Sequence, residues 1–242
     1  MKVIFNADDF GLTTGVNEGI AQAHLHGVVN STTMMVGMGA EQDAVKIATQ
    51  LPELKVGIHL RFTSGSPLTN GSSLIGKEGF FPRQAEFWQK QDFDLEEVYQ
   101  EVSSQIAQFK KLGFQLSHID SHHHAHTHPQ LLPVIREIAH QLQVPLRGIG
   151  LDSSVWRYHF SDWFYDSNLS MAGLLSHLSQ FKSTYDVVEI MCHPSKVDEA
   201  LSAQSSYTHQ RALELDILTS DELKEGLIKN GITVTDYSCL TS

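Results

Sequence analysis

The segment Lys2–Val–Ile–Phe–Asn–Ala–Asp–Asp–Phe–Gly11 sets an apolar run directly against a polar tip that carries two adjacent carboxylates, Asp8 and Asp9. A short apolar run bounded by a turn signal reads as a buried strand, here residues 2–6, with the turn expected over 7–11. The same order recurs along the chain. A helix is expected through about His26, closed by Gly27, with His24 and His26 where a helix C-terminus favours positive charge. Next come a strand near residues 31–36, a helix over 40–51, and a third strand, Lys55–Val–Gly–Ile–His–Leu60, ending on His59.

Asp94, with Glu97 three residues later, forms an N-cap pair, and Val98, Val102, Ile106, Phe109 and Leu112 follow at helical spacing. After Gly113 a short strand over 115–120 opens into a histidine-rich run, and Pro129 suits the first turn of the next helix. Residues 187–191 form another strand with the polar tip Cys192–His193–Pro194. Thr219 with Glu222 marks a capping box for a helix through Lys229, and residues 232–235 read as the last strand.

Strands alternating with helices imply parallel pairing and right-handed crossovers. Asp8/Asp9, His59, Asp120/His122 and His193 all fall at carboxyl ends of predicted strands. A (β/α) barrel gathers such ends on one face, whereas a doubly wound sheet binds ligands at one switch point. The expected fold is therefore α/β, a TIM-barrel-type (β/α) barrel that is irregular or incomplete, in a single domain over residues 1–242.

Composition narrows the partners. The net charge of −11, with seventeen Lys and Arg and no basic cluster, argues against nucleic acid. No apolar run reaches the length of a membrane span and no signal-peptide pattern opens the chain, so a cytoplasmic protein is expected. Cys192 and Cys239 lack CxxC spacing and read as free thiols.

The run His118–Ile–Asp–Ser–His–His–His–Ala–His–Thr–His128 holds six of the fourteen histidines in eleven residues. Imidazole is the commonest ligand for divalent transition metals, and histidines four apart, such as His122 and His126, can converge on one ion. Spacing does not select among His122, His123, His124, His126 and His128. Asp120 is expected to orient the His122 imidazole, with His126 a reserve ligand and His118 a strand residue. Asp8–Asp9 alone would read as an Asx turn before a helix, and His59 alone as a core histidine. Their shared place at strand ends turns both toward a site. His193 is fixed by Pro194 and suits acid–base chemistry. Arg211 and Glu214, three apart on a helix, either form an exposed pair or place Arg211 against a catalytic carboxylate.

Two segments, about 61–92 and 150–168, lack regular periodicity and hold all three tryptophans, Trp88, Trp156 and Trp163. Their rings either flank a sugar-sized ligand at a cleft mouth or pack the loops onto the barrel and into a homodimer interface.

Taken together, Asn6–Ala–Asp–Asp–Phe–Gly11, Asn17–Glu–Gly–Ile20, Ser31–Thr–Thr–Met34, Gly57–Ile–His–Leu60, His118–Ile–Asp–Ser–His–His–His124, Cys192–His–Pro194 and Arg211–Ala–Leu–Glu–Leu215 resemble the YdjC-like carbohydrate deacetylases. The resemblance runs in order from about residue 3 to 235. It implies a barrel-type hydrolase that removes acetyl groups from N-acetylated sugars and needs a divalent metal, with an acetylated carbohydrate as substrate. It further implies Asp9, His59 and His122 as ligands, Asp8 as base and His193 as acid. Magnesium is associated with the family, while two imidazoles are better matched to zinc, manganese or cobalt. A metal-dependent sugar isomerase or phosphoesterase, or a non-catalytic metal- or sugar-binding protein, are the alternatives the residues leave open.

Overall fold

The structure is a computed structural model and describes residues 1–151 and 155–241. Among the described residues seven parallel strands make one curled sheet: β1 (Lys2–Phe10), β2 (Ser31–Met34), β3 (Lys55–Leu60), β4 (Ile119–Ser121), β5 (Tyr158–Ser161), β6 (Val187–Cys192) and β7 (Thr233–Thr235). They lie in the order β4-β3-β2-β1-β6-β5. One edge of β1 is shared end to end, with β7 beside Lys2–Ile4 and β2 beside Asn6–Phe10.

Between β4 and β5 the curl is bridged by residues 145–150. Ile119 donates to Pro145 O (2.9 Å), Arg147 donates back to Ile119 O (3.0 Å), and Gly148 N reaches the Tyr158 hydroxyl (3.3 Å). Helices cover the outside: α1 (Thr14–His26), α2 (Glu41–Gln50), α3 (Gln84–Gln89), α4 (Leu95–Lys111), α5 (Leu132–Leu142), α6 (Met171–Phe181), α7 (Glu199–Gln204), α8 (His209–Thr219) and α9 (Asp221–Lys229). The result is an α/β, barrel-like half-barrel with flanking helices.

Strand alternation decides what fills it. Val3, Phe5 and Ala7 of β1, Val56, Ile58 and Leu60 of β3, and Val188, Ile190 and Cys192 of β6 join the main apolar core with the helices. The intervening residues, among them Asn6, Asp8, Thr33, His59, Asp120 and Glu189, are buried and linked through hydrogen bonds and a shared arginine, so they occupy the opposite, inner side. At the amino end Ile4 and Val187 pack with Tyr237, Cys239 and Leu240, which plugs the barrel floor. The barrel is thus apolar outside its sheet and largely polar within it.

Local chemistry explains the helices. Asp94 caps α4 by accepting from Glu96 N and Glu97 N, and Val98, Val102, Ile106 and Phe109 line its buried face. Gly27 closes α1 as expected. Cys192 and Cys239 are buried and form no disulfide with each other. No helix among the described residues is long and apolar enough to cross a membrane.

Several expectations shift. The tip expected over residues 7–11 belongs to β1, which continues to Phe10 through a register break between Ala7 and Phe10. Pro129 precedes α5, within the turn closed by Leu131 N to His128 O, and Pro133 takes the place in the first helical turn. Ser220, not Thr219, caps α9 by accepting from Leu223 N, while Thr219 Oγ1 donates to Leu215 O and finishes α8. The strand expected over 115–120 is regular only at Ile119–Ser121, although Ser117 N already donates to Val56 O (3.2 Å) on β3. The supposedly irregular segments contain α3 and β5; β5 is a half-buried edge strand of four residues, too short to show a period.

Candidate functional site

The carboxyl ends of the strands open into a cavity of about 440 Å³ lined by Asp8, Asp9, His59, His122 and His193, the five residues singled out from sequence. β1 supplies both carboxylates, and the bulge makes that possible: Asp9 sits at φ 71°, in the left-handed region. Neighbours in a regular strand would face opposite sides, and the break in register lets both line the cavity. Such a backbone costs on the order of 1–3 kcal/mol and persists where the surroundings over-determine it. Here Asp9 Oδ2 accepts from Arg211 Nη2 (2.6 Å), while Oδ1 lies 2.9 Å from His122 Nδ1 and 3.4 Å from His59 Nε2.

His59 is pinned from behind, because its Nδ1 meets Asp120 Oδ1 at 2.7 Å with Thr33 Oγ1 at 3.2 Å. That contact turns Nε2 toward Asp9. Asp120 therefore orients His59 and not His122, whose Nδ1 faces Asp9 directly. The correction follows from register, since His59 and Asp120 are Cα partners on β3 and β4.

The histidine run forms a 3₁₀ segment, residues His122–Thr127, with His123 (φ 53°) and His124 (φ 54°) in the left-handed region. The i, i+4 convergence expected of a helix is lost. His126, the reserve ligand, is buried away from the cavity, with Nδ1 2.6 Å from Ser121 Oγ. His128 is enclosed by Phe87, Trp88 and Phe93, and His118 stacks on Tyr237 at 3.6 Å. His123 and His124 line the cavity; Thr63 Oγ1 lies 2.9 Å from His123 Nδ1 and ties the loop after β3 to the run.

Arg147 organises the floor. Its Nη1 and Nη2 each lie 2.7 Å from an Asp8 oxygen, Nη2 lies 2.9 Å from Asp120 Oδ2, and Nε donates to Glu189 Oε1 at 2.7 Å. Glu189 in turn accepts from the Tyr158 hydroxyl. Burial alone would raise the Asp8 carboxyl, yet the charge and paired hydrogen bonds of Arg147, with His59 and His193 nearby, hold it below the usual carboxylate range. Asp9 is likewise depressed, with Arg211 and His122 overcoming burial. Burial opposes a charged His59, but Asp120, Asp8 and Asp9 raise it to about 10. Glu189 is raised, chiefly by burial.

His193 stands across the cavity, Nε2 4.0 Å from Asp8 Oδ2. Its backbone N–H donates to Glu214 Oε2, and Glu214 Oε1 lies 3.8 Å from Nδ1. Arg211 and Glu214 are thus no exposed pair; both are buried and serve the site separately.

The donor set suits a divalent metal. Asp9, His59 and His122 offer one carboxylate oxygen and two imidazole nitrogens within 4.8 Å of one another, and the Asp120–His59 contact is the carboxylate–histidine arrangement that fixes a metal-binding imidazole. A second cluster, Asp8, His59 and Asp120, has the Arg147 guanidinium against both carboxylates, so its charge is already balanced. Sequence reasoning missed Arg147, Glu189 and Thr33. Glu189 did carry a signal, a lone carboxylate inside the apolar run Val187–Val–Glu–Ile–Met191.

At the strand ends of the half-barrel, one cavity thus gathers an Asp–His–His cluster with Asp8 and His193 beside it, side chains of the kind that hydrolytic sites of the barrel class use. The chain belongs to the YdjC-like protein family, whose sequence pattern matches residues 2–229. A carbohydrate deacetylase of Vibrio campbellii is 58% identical over 247 residues, which span 100% of this chain and 97% of the relative. Another, of Vibrio vulnificus, is 59% identical over 98% of this chain and 96% of its own length. A crystal structure from Enterococcus faecalis, provisionally described as a cellobiose-phosphate cleavage protein, superimposes with a TM-score of 0.90 at 36% identity, covering 99% of this chain and 98% of its own.

Proposed function

We propose that this protein is a divalent-metal-dependent hydrolase that removes the acetyl group from N-acetylated sugars. The carrying observation is the convergence of Asp9, His59 and His122 beside Asp8, with His193 on the far side, in one cavity. The carbohydrate deacetylases at 58% and 59% identity supply the substrate class.

Asp9, His59 and His122 would hold the metal, which when bound would supply Lewis acidity toward the acetyl carbonyl and water. Asp8, kept ionised by Arg147, accepts the proton of the attacking water, and Asn6 Nδ2 steadies it at 2.9 Å. His193, held through its backbone by Glu214, protonates the departing amine. Arg211 balances Asp9 from the side away from the imidazoles. Two imidazoles favour zinc, manganese or cobalt over magnesium, which prefers all-oxygen octahedra.

The test is acetate release from N-acetylated mono- and disaccharides by metal-free protein reloaded with each cation in turn. Release with at least one cation is expected; none from any sugar would reject the assignment.

A further inference from the structure

The cavity wall beside His193 holds an ordered stack of side chains. The guanidinium of Arg211 lies over the Tyr207 ring, 5.8 Å from its centroid, and Tyr207 lies flat on Tyr165, with centroids 4.3 Å apart and planes 2° from parallel. Tyr207 is fixed at its far end: its hydroxyl donates to Glu214 Oε1 (2.6 Å) and accepts from Asp166 N (3.1 Å). The outer ring is different. Tyr165 is 42% exposed, lines the cavity, and its hydroxyl meets no protein partner among the described residues. Tyr207 covers one face of Tyr165, and no second ring is stacked on Tyr165 among the described residues.

His193 stands edge-on to both rings, 5.8 Å from each centroid at 70° and 72°. His193 therefore lies beside the edge of the stack, level with both rings, and a group that receives its proton in the cavity lies close to Tyr165, which lines the same cavity. A pyranose ring with equatorial substituents presents a flat patch of C–H bonds, which packs on an aromatic face while its hydroxyls remain free for polar partners.

We propose that Tyr165 is the stacking platform for the pyranose ring that carries the acetamido group, continuing the Arg211–Tyr207–Tyr165 series by one layer. The proposal rests on the hydrolase reading only for the direction in which the substrate amine faces. It makes Tyr165 the residue that selects a sugar ring over an acyclic acetamide, since an open chain offers no flat face to cover the tyrosine. Tyr207 acts behind it as a rigid backing whose hydroxyl also holds Glu214.

The experiment compares the metal-loaded protein with its Tyr165→Ala, Tyr165→Phe and Tyr165→Trp variants. It measures kcat and KM for acetate release from a di-N-acetylated glucosamine disaccharide, metal content, and calorimetric binding of the fully deacetylated disaccharide. Tyr165→Ala is expected to raise KM and weaken product binding about tenfold, equivalent to about 1.4 kcal/mol, with metal content unchanged. Because the contact is made in ground and transition states alike, kcat should fall far less than kcat/KM. Tyr165→Phe and Tyr165→Trp should stay within about twofold of the parent, since both keep a flat ring. Unchanged KM and binding in Tyr165→Ala would overturn the platform, as would an equal loss in Tyr165→Phe, which would make the hydroxyl the contact. Absence of acetate release in the parent would remove the hydrolase reading, whereas absence of sugar binding in the parent would remove the platform.

Discussion

Replacing Arg147 by Met should expose how heavily the barrel interior depends on one cation. The guanidinium is fully buried and reaches three buried carboxylates, with contacts of 2.7 Å to each Asp8 oxygen, 2.9 Å to Asp120 and 2.7 Å to Glu189. Arg147→Met keeps much of the apolar volume but leaves those acids with His59 as the nearest cationic partner, through Asp120. Removing one partner of a buried ion pair costs about 3–5 kcal/mol because the other charge stays buried and uncompensated. Three acids on one cation put this variant at the upper end, a large share of the roughly 5–15 kcal/mol that holds a domain folded.

The pH dependence gives the sharper check. In the parent, Asp8 is depressed below its ordinary 3.8, so its contribution is present above that value and is lost only as pH falls through the folded pKa. Without Arg147, burial dominates and the carboxyl is raised, so folding is favoured by protonation and stability falls as pH rises. The gap between parent and variant should therefore widen from pH 5 to pH 8 in urea titrations of the metal-free proteins. A variant within about 1 kcal/mol of the parent at pH 8 would refute the role given to Arg147, since even a single broken buried pair should exceed that.

Asp8→Asn should keep its metal and lose turnover by about 10²–10⁴-fold, the range of a general base, as read from acetate release and metal content together. His59→Ala should bind no metal by mass spectrometry whereas His126→Ala should bind it fully; metal loss in the second variant would return His126 to the ligand set. Metal uptake should release protons, because a His59 raised to about 10 in the metal-free protein must surrender one to bind. That raised imidazole adds stability below pH 6.5 which fades as pH rises through about 10, and affinity for the cation should weaken as pH falls; calorimetry in buffers of different ionisation enthalpy would detect the proton, and buffer-independent heats would argue against it.

The fold was legible wherever burial left a long enough trace. β3 and β6 stand out because strands covered on both sides read as apolar runs, and α4 because its cap and four-residue spacing coincide. β5 left no such trace, being short and half exposed. The end of β1 was read as a turn since two adjacent aspartates look like one; a bulge, which depends on the neighbouring strand, accommodates them instead.

By itself the sequence determined that one end of the sheet gathers the strand-end acids and histidines. Parallel strands place their carboxyl ends together, so Asp8, Asp9, His59, His122 and His193 share a cavity as a consequence of order along the chain. What only the tertiary structure decided is who holds whom. Asp120 serves His59 across 61 residues, Arg147 reaches Asp8 across 139, and Arg211 reaches Asp9 across 202. His126 lies outside the cavity lining because two left-handed residues break the helical spacing that would have brought it beside His122. Hydrogen bonds and ion pairs act over a few ångströms of space, and no periodicity along a chain records which distant side chains the curl of a sheet will bring within that reach.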